Sequence, residues 1–146
     1  MTDERLHVAV GAKLHEVSQR YTKGRRDLVN ILAGSGRPLT IPEILRSKRS
    51  LPQSSAYRNL TALEDAGAVR RLPSTDEFAR YELAEDLTEH HHHLVCTSCG
   101  EVADYAVTAA LERSLQQAEA QIHRATGFEA VAHSLDFIGS CRSCAT

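Results

Sequence analysis

Four cysteines occur in this chain, and they form two pairs of identical spacing, Cys96-Thr97-Ser98-Cys99 and Cys141-Arg142-Ser143-Cys144. A C-x-x-C turn aims two thiolates at one point the size of a metal ion. Two such turns complete a tetrahedral site with Zn–S bonds near ~2.3 Å. Because every cysteine is used, the polypeptide between Cys99 and Cys141 has to return on itself, and an ion there staples the start of a small unit to its end. A redox C-x-x-C occurs once beside a βαβ pattern, not twice. Disulfides suit a reducing compartment badly, whereas an iron–sulfur cluster is a second use for four thiolates. Structural zinc is the expectation, and in so small a unit it is expected to contribute to folding itself.

The compartment follows from what the rest of the chain lacks. Met1 to Val10 carries Asp3, Glu4 and Arg5 among few apolar residues, without the basic start and apolar stretch of a secretory signal. No run of apolar residues is long enough to span a bilayer. A cytoplasmic protein with no membrane contact is expected. The formal net charge of −2 over 146 residues hides an asymmetry. Residues 1–84 hold 14 Lys/Arg against 10 Asp/Glu, while residues 85–146 hold 3 against 9. A basic half facing phosphate and an acidic half with another task is one explanation; chance clustering on solvated faces is the other.

The basic half reads as helices followed by a hairpin. Leu6, Val10, Leu14 and Val17 recur at helical spacing, as do Leu28, Val29, Ile31 and Leu32 before Gly34-Ser35-Gly36. Thr40 with Glu43 forms a capping-box signature for a short helix through Ile44 and Leu45. Leu51-Pro52-Gln53-Ser54 starts another helix, expected over Ser54–Ala66, with Gly67 placed for a positive φ at its end. Val69–Leu72 and Phe78–Leu83 are strand-like runs around the turn chemistry of Pro73-Ser74-Thr75-Asp76-Glu77. Three helices and then a β-hairpin is the order of a winged helix-turn-helix. The acidic half offers strands at Leu94–Cys96 and Val102–Tyr105, then an amphipathic helix through Leu111, Leu115, Ala118 and Ile122 that stops near Gly127. A last strand is expected over Val131–Ile138. The fold class is α+β, with a winged-helix domain at 1–84 and a small α/β metal-binding domain at 85–146.

In a helix-turn-helix the second helix enters the major groove. Burying Ala56, Leu60 and Leu63 turns Ser54, Ser55, Tyr57, Arg58 and Thr61 outward. Arg58 can bond guanine bidentately, the hydroxyls suit base or phosphate, and Tyr57 suits a thymine methyl or a phosphate. Arg70, Arg71 and Arg80 of the hairpin, and Arg20, Lys23, Arg25 and Arg26 before the second helix, are candidate grips on the flanking backbone. An amphipathic helix whose outer face is only wet has the same spacing; the hairpin and the basic charge favour duplex DNA.

Glu89-His90-His91-His92-His93-Leu94-Val95-Cys96 runs straight into the first cysteine pair. In an extended strand alternate side chains point opposite ways. His91 and His93 then share one face and His90 and His92 the other, so that one tract can feed two metal sites. Solvated histidines without a role are the plain alternative.

Together, Ser55-Ala56-Tyr57-Arg58-Asn59-Leu60, Asp65-Ala66-Gly67-Ala68-Val69, HHHHLVCTSCG, Ala132-His133-Ser134-Leu135 and the closing C-x-x-C resemble the ferric uptake regulator family over most of residues 18–144. Members are homodimeric repressors that bind operators when loaded with iron, zinc, manganese or nickel, and one branch senses peroxide. The resemblance implies a dimerisation role for residues 85–146 and a palindromic operator in double-stranded DNA as partner. It also implies three metal sites. Cys96, Cys99, Cys141 and Cys144 would hold structural Zn2+. Glu82, His91, His93 and Asp104 would hold an exchangeable sensor ion, Zn2+ or Fe2+ with Mn2+ as a further candidate. His90, His92, Glu112 and His133 would form an additional site. One departure matters: many members carry a histidine just before the short third helix, where this chain has Arg37-Pro38-Leu39. His7 and His15 are the remaining candidates to replace it. The donors left are nitrogen and oxygen, which suit iron, manganese or zinc.

Rival readings are a zinc-scaffolded protein–protein adaptor and a zinc hydrolase. The hydrolase needs an open metal position and a placed general base, and neither H-E-x-x-H nor a deaminase pattern occurs. No catalytic residue is expected. Peroxide sensing is the alternative within the repressor reading.

Overall fold

The computed structural model describes residues 3–145 apart from Pro73, Thr75 and Asp76. Helix α1 (Glu4–Glu16) opens on Asp3, whose carboxylate accepts the Arg5 amide, and it buries His7, Val10 and Leu14. Helix α2 (Lys23–Ser35) opens on the Thr22 hydroxyl and buries Leu28, Val29 and Leu32. After strand β1 (Leu39–Thr40) comes helix α3 (Ile41–Ser47), whose capping box is complete: Thr40 accepts the Glu43 amide while the Glu43 carboxylate accepts the Thr40 amide at 2.8 Å. Helix α4 (Gln53–Asp65) buries Ala56, Leu60 and Leu63. Gly67 follows at φ 75°, a conformation that a side chain would strain.

Strands β2 (Val69–Leu72) and β3 (Arg80–Leu83) complete an antiparallel sheet of order β1-β3-β2. The expected strand at Phe78–Leu83 is shorter than its sequence pattern, because pairing with β2 and with β1 starts only at Arg80. Of the expected turn, Pro73, Thr75 and Asp76 lie outside the described residues. The four helices and this sheet close on one apolar core, with Val10, Leu14, Leu28, Val29, Ile44, Leu60 and Leu63 at most 1% exposed. This is a winged helix-turn-helix.

A 3-10 turn at Glu85–Leu87 leads to strand β4 (His92–Cys96), which is central in a second sheet of order β5-β4-β6. Strand β5 (Val102–Tyr105) pairs antiparallel and β6 (Asp136–Gly139) pairs parallel. A parallel neighbour needs a crossover, and helix α5 (Ala109–Thr126) provides it, ending at Gly127 with φ 75°. The strand expected over Val131–Ile138 forms only at its end. His133 turns out of line to reach Glu119 and Glu112, and Val131 is 99% exposed, so residues 131–134 do not join the ladder; Leu135 meets it only through its carbonyl, which accepts the His93 amide at 3.3 Å. None of the described helices is long and apolar enough to cross a membrane.

Candidate metal centres and nucleic-acid face

The two C-x-x-C turns meet at one end of the second sheet. Cys96 closes β4, and Cys141 follows β6, the strand hydrogen-bonded beside it. The Thr97 amide donates to the Gly139 carbonyl at 2.8 Å and the Cys141 amide to Cys96 Sγ at 3.3 Å, which draws the turns together. All four Sγ atoms lie within 4.8 Å of one another, and Cys99 and Cys141 are 3.8 Å apart. A tetrahedron of Zn–S bonds near ~2.3 Å has edges of about 3.8 Å, so the thiols have the dimensions of a zinc site. No two of them are joined as a disulfide. Their acidities diverge. Backbone amides of Cys141 and Cys99 aimed at Cys96 pull its thiol down to about 6, while the three neighbouring sulfurs push Cys144 up to about 12. Four thiolates so close need a cation to ionise together.

The second cluster joins the two sheets. Glu82 on β3 is 6% exposed although ionisable. Its Oε2 accepts from His91 Nε2 at 3.0 Å and His93 Nε2 at 3.1 Å, and its Oε1 accepts from Arg70 Nη2 at 2.6 Å. Burial by itself would raise this carboxyl; the bonds from His93, His91 and Arg70 outweigh it and hold Glu82 at about 2. Asp104 on β5 faces the same point from the other side, 3.7 Å from His91 Nε2 and 3.8 Å from His93 Nε2. Burial pushes its carboxyl up, and its Oδ1 is buried without a hydrogen-bond partner. An orphaned carboxylate oxygen facing two imidazole nitrogens is what a cation would satisfy. The outer nitrogens are held: His91 Nδ1 donates to the Glu89 carbonyl at 2.9 Å, and His93 Nδ1 lies 3.4 Å from Asp136 Oδ1. Such bonds fix a ring so that Nε2 faces an ion. The donor set fits a divalent metal.

The third cluster lies across β4. His92 Nε2 is 2.5 Å from Glu112 Oε1, and the Nε2 atoms of His90 and His133 are 3.2 Å apart, each 3.3 Å from a Glu112 oxygen. Two imidazole nitrogens at that distance cannot both carry a proton, and a shared cation resolves the conflict. Glu85 binds His90 Nδ1, and Glu119 binds His133 Nδ1 at 2.6 Å. Sequence reasoning missed Glu85, Glu119 and Asp136. Each lies far along the chain from its partner or outside any motif, and only the fold brings it in.

On the other face, α4 presents Ser54, Tyr57, Arg58 and Thr61 to solvent, with Ser55 half-buried and Tyr57 51% exposed. The Thr61 hydroxyl donates back to the Tyr57 carbonyl at 3.0 Å. Arg71 is exposed. Other basic residues are engaged by groups of the protein itself. Arg80 is only 5% exposed and binds the Ser74 hydroxyl, so it does not reach outward as its place in the hairpin suggested. Arg70 is on Glu82. Arg25 donates through Nε to Asn59 Oδ1 at 3.2 Å and through Nη1 to the Arg20 carbonyl at 2.6 Å, tying α2 to α4. His7 does not substitute for the missing histidine near Pro38, because Tyr21 and Asn30 engage its two ring nitrogens at 2.5 and 2.8 Å.

Comparison with known proteins matches this architecture. The model of the ferric uptake regulator family covers residues 16–138. The peroxide-responsive repressor PerR of Staphylococcus saprophyticus is 26% identical over 129 residues, spanning 86% of this chain and 82% of that protein. The ferric uptake regulator Fur of Helicobacter pylori, a structure with three functional metal-binding sites, superposes with a TM-score of 0.76 at 25% identity over 99% of this chain and 94% of that one. The ferric uptake regulator of Vibrio cholerae, described with rearranged DNA-binding domains, gives 0.66 at 25% identity over 90% and 98%.

Proposed function

The chain belongs to the ferric uptake regulator family, and from that membership we propose that it is a cytoplasmic, homodimeric repressor that binds a palindromic operator in duplex DNA when an exchangeable site carries a divalent metal. The border between reading head and dimerisation domain falls at residues 84 and 85. Cys96, Cys99, Cys141 and Cys144 hold structural zinc. Glu82, His91, His93 and Asp104 hold the sensor ion, zinc or iron with manganese as a further candidate, and His90, His92, Glu112 and His133 form an additional site. Ser54, Ser55, Tyr57, Arg58 and Thr61 meet the bases or adjoining phosphates, with Arg71 on the wing. The protein is a regulator and not an enzyme.

The observation that carries this reading is the position of Glu82. It sits on the winged-helix sheet while His91, His93 and Asp104 sit on the other, and their donor atoms lie within 4.8 Å of one another. A bound divalent ion supplies the positive charge that lets two carboxylates and two imidazoles share one centre. Glu82 then ties the wing to β4 and β5 and sets the angle of α4. Two reading helices of a dimer must meet half-sites about one helical turn, or a multiple of it, apart. Fixing that angle therefore couples metal to DNA, and a coupling of about 1–3 kcal/mol corresponds to roughly 5–150-fold in operator affinity.

A selected operator, titrated with and without Zn2+, Fe2+ or Mn2+, tests this. Metal is expected to tighten binding, and His91→Ala with His93→Ala removes the metal effect while leaving a folded dimer. A double variant that still answers to metal overturns the sensor assignment. The likeness to peroxide-responsive repressors supports peroxide sensing as the second reading. Its mark is a 16-Da gain on a histidine ligand, detected by mass spectrometry after iron loading and peroxide.

A further inference from the structure

Arg70 looks from sequence like a grip on phosphate, yet in the structure its guanidinium is paired with Glu82 while the side chain stays 39% exposed. In the antiparallel β2–β3 register Arg70 stands directly opposite Glu82, and directly paired residues share a face of the sheet. Its Nη2 donates to Glu82 Oε1 at 2.6 Å. Only the other oxygen, Oε2, faces His91 and His93, at 3.0 and 3.1 Å. The carboxylate is thus divided between an arginine and the candidate sensor ion.

That division sets how many oxygens Glu82 offers the centre. With Oε1 on Arg70, Glu82 has one oxygen left for the cluster, beside the Nε2 atoms of His91 and His93 and the carboxylate of Asp104. The neighbouring loop adds none. Pro38 has no donor side chain, and the Arg37 guanidinium is on Glu43 and the Pro38 carbonyl. Beside the cluster lies a cavity of about 100 Å³ that reaches Gly36, Arg37, Glu82, Thr88, His91 and Asp104. Four nitrogen and oxygen donors satisfy zinc, whereas manganese favours six, mostly oxygen.

We propose that Arg70 is a positioning residue that determines metal specificity: by holding Glu82 Oε1 it limits Glu82 to one donor oxygen and biases the centre towards zinc over manganese. The proposal rests on the reading of Glu82, His91, His93 and Asp104 as the exchangeable site. Releasing Arg70 frees Oε1 to join Oε2 on the same ion, which raises the donor count and favours the larger, oxygen-seeking metal. Arg70→Lys keeps a donor and a positive charge within reach of Oε1 and restores the original preference in part.

The test uses the full chain with its structural zinc in place, in a His90→Ala, His133→Ala background that leaves the neighbouring cluster only two of its four donors. Zn2+ and Mn2+ affinities are measured by chelator competition, and Co2+ absorption reports coordination number. Arg70→Ala is expected to weaken zinc by about tenfold, the low end for losing an outer-shell partner, while manganese holds or gains. The intense four-coordinate Co2+ bands of the parent fade in the variant and return with Arg70→Lys. Equal loss of zinc and manganese, or an unchanged Co2+ spectrum, overturns the proposal and reduces Arg70 to a hairpin brace. Glu82→Ala separates the two levels. If it leaves both metal affinities intact, the site reading itself fails; if it abolishes them while Arg70→Ala leaves the zinc-to-manganese ratio unchanged, only the role of Arg70 does.

Discussion

The two sheets of this protein are held by different physics. Around the first, four helices bury leucine, valine and isoleucine side chains almost completely. Around the second, only Cys96 and Val102 count among the buried apolar residues, and none of the residues of α5 is buried. Phe128, Val131 and Ile138 stand 63%, 99% and 69% exposed on that side. A region of about 60 residues with so little buried apolar surface is marginal by itself. In the proposed function, its three clusters of metal-ligating side chains and pairing with a second copy supply what the core does not. The winged helix is rigid through its own packing. On the proposed reading, the other region depends on bound metal and on a second copy, and that makes it a place where a signal can enter.

The sharpest way to break this comparison is to remove zinc from one region only. Cys96→Ser is expected to unfold the β4–β6 sheet, since structural zinc contributes on the order of 10 kcal/mol or more to small folds. The winged helix should keep its own cooperative melt. Calorimetry with zinc analysis checks both halves, and an unaltered two-region melt would remove the distinction. The converse change is smaller. Leu60→Ala opens a cavity in the apolar core and should cost about 2–5 kcal/mol, lowering the melt of the winged helix and operator affinity while bound zinc stays unchanged.

The weakest expected effect is of pH on the metal-free protein. Glu82 is held at about 2 against an ordinary 4.5, so its contribution is present above 4.5 and lost as pH falls towards 2. His91 is raised above an ordinary 6.5, the bonds to the Glu89 carbonyl and Glu82 outweighing its burial, so its contribution is complete below 6.5 and fades as pH rises through its folded value. The bridge between the sheets is therefore strongest at pH 4.5–6.5 without metal. Metal needs deprotonated nitrogens, so its affinity should rise with pH. Chelator competition at pH 6 and pH 8 reads this, and a metal affinity that falls with rising pH contradicts it.

Much of the architecture was legible before any coordinates, because it rests on local rules. Helical spacing located α1, α2, α4 and α5, Thr40 with Glu43 located α3, and Gly67 and Gly127 marked helix ends. Two-residue alternation along His90–His93 anticipated that neighbouring histidines part to opposite sides of β4. What stayed hidden depends on contacts between distant residues. Strand β1 has two residues, too few for any period. Arg70, Arg80 and Arg25 carry the charge expected of phosphate grips, yet Glu82, Ser74 and Asn59 engage them. The end of the chain misled for a similar reason: residues 131–135 alternate like a strand, but His133 is drawn to Glu119 and Glu112.

The proposed function requires one coupling, between an ion at Glu82, His91, His93 and Asp104 and the operator at α4. Both sides of that linkage can be measured on one preparation: operator affinity with and without the ion, and ion affinity with and without the operator. The two ratios are expected to agree, at roughly 5–150-fold. An ion affinity that operator DNA leaves unchanged, in a protein whose zinc is intact, would contradict it.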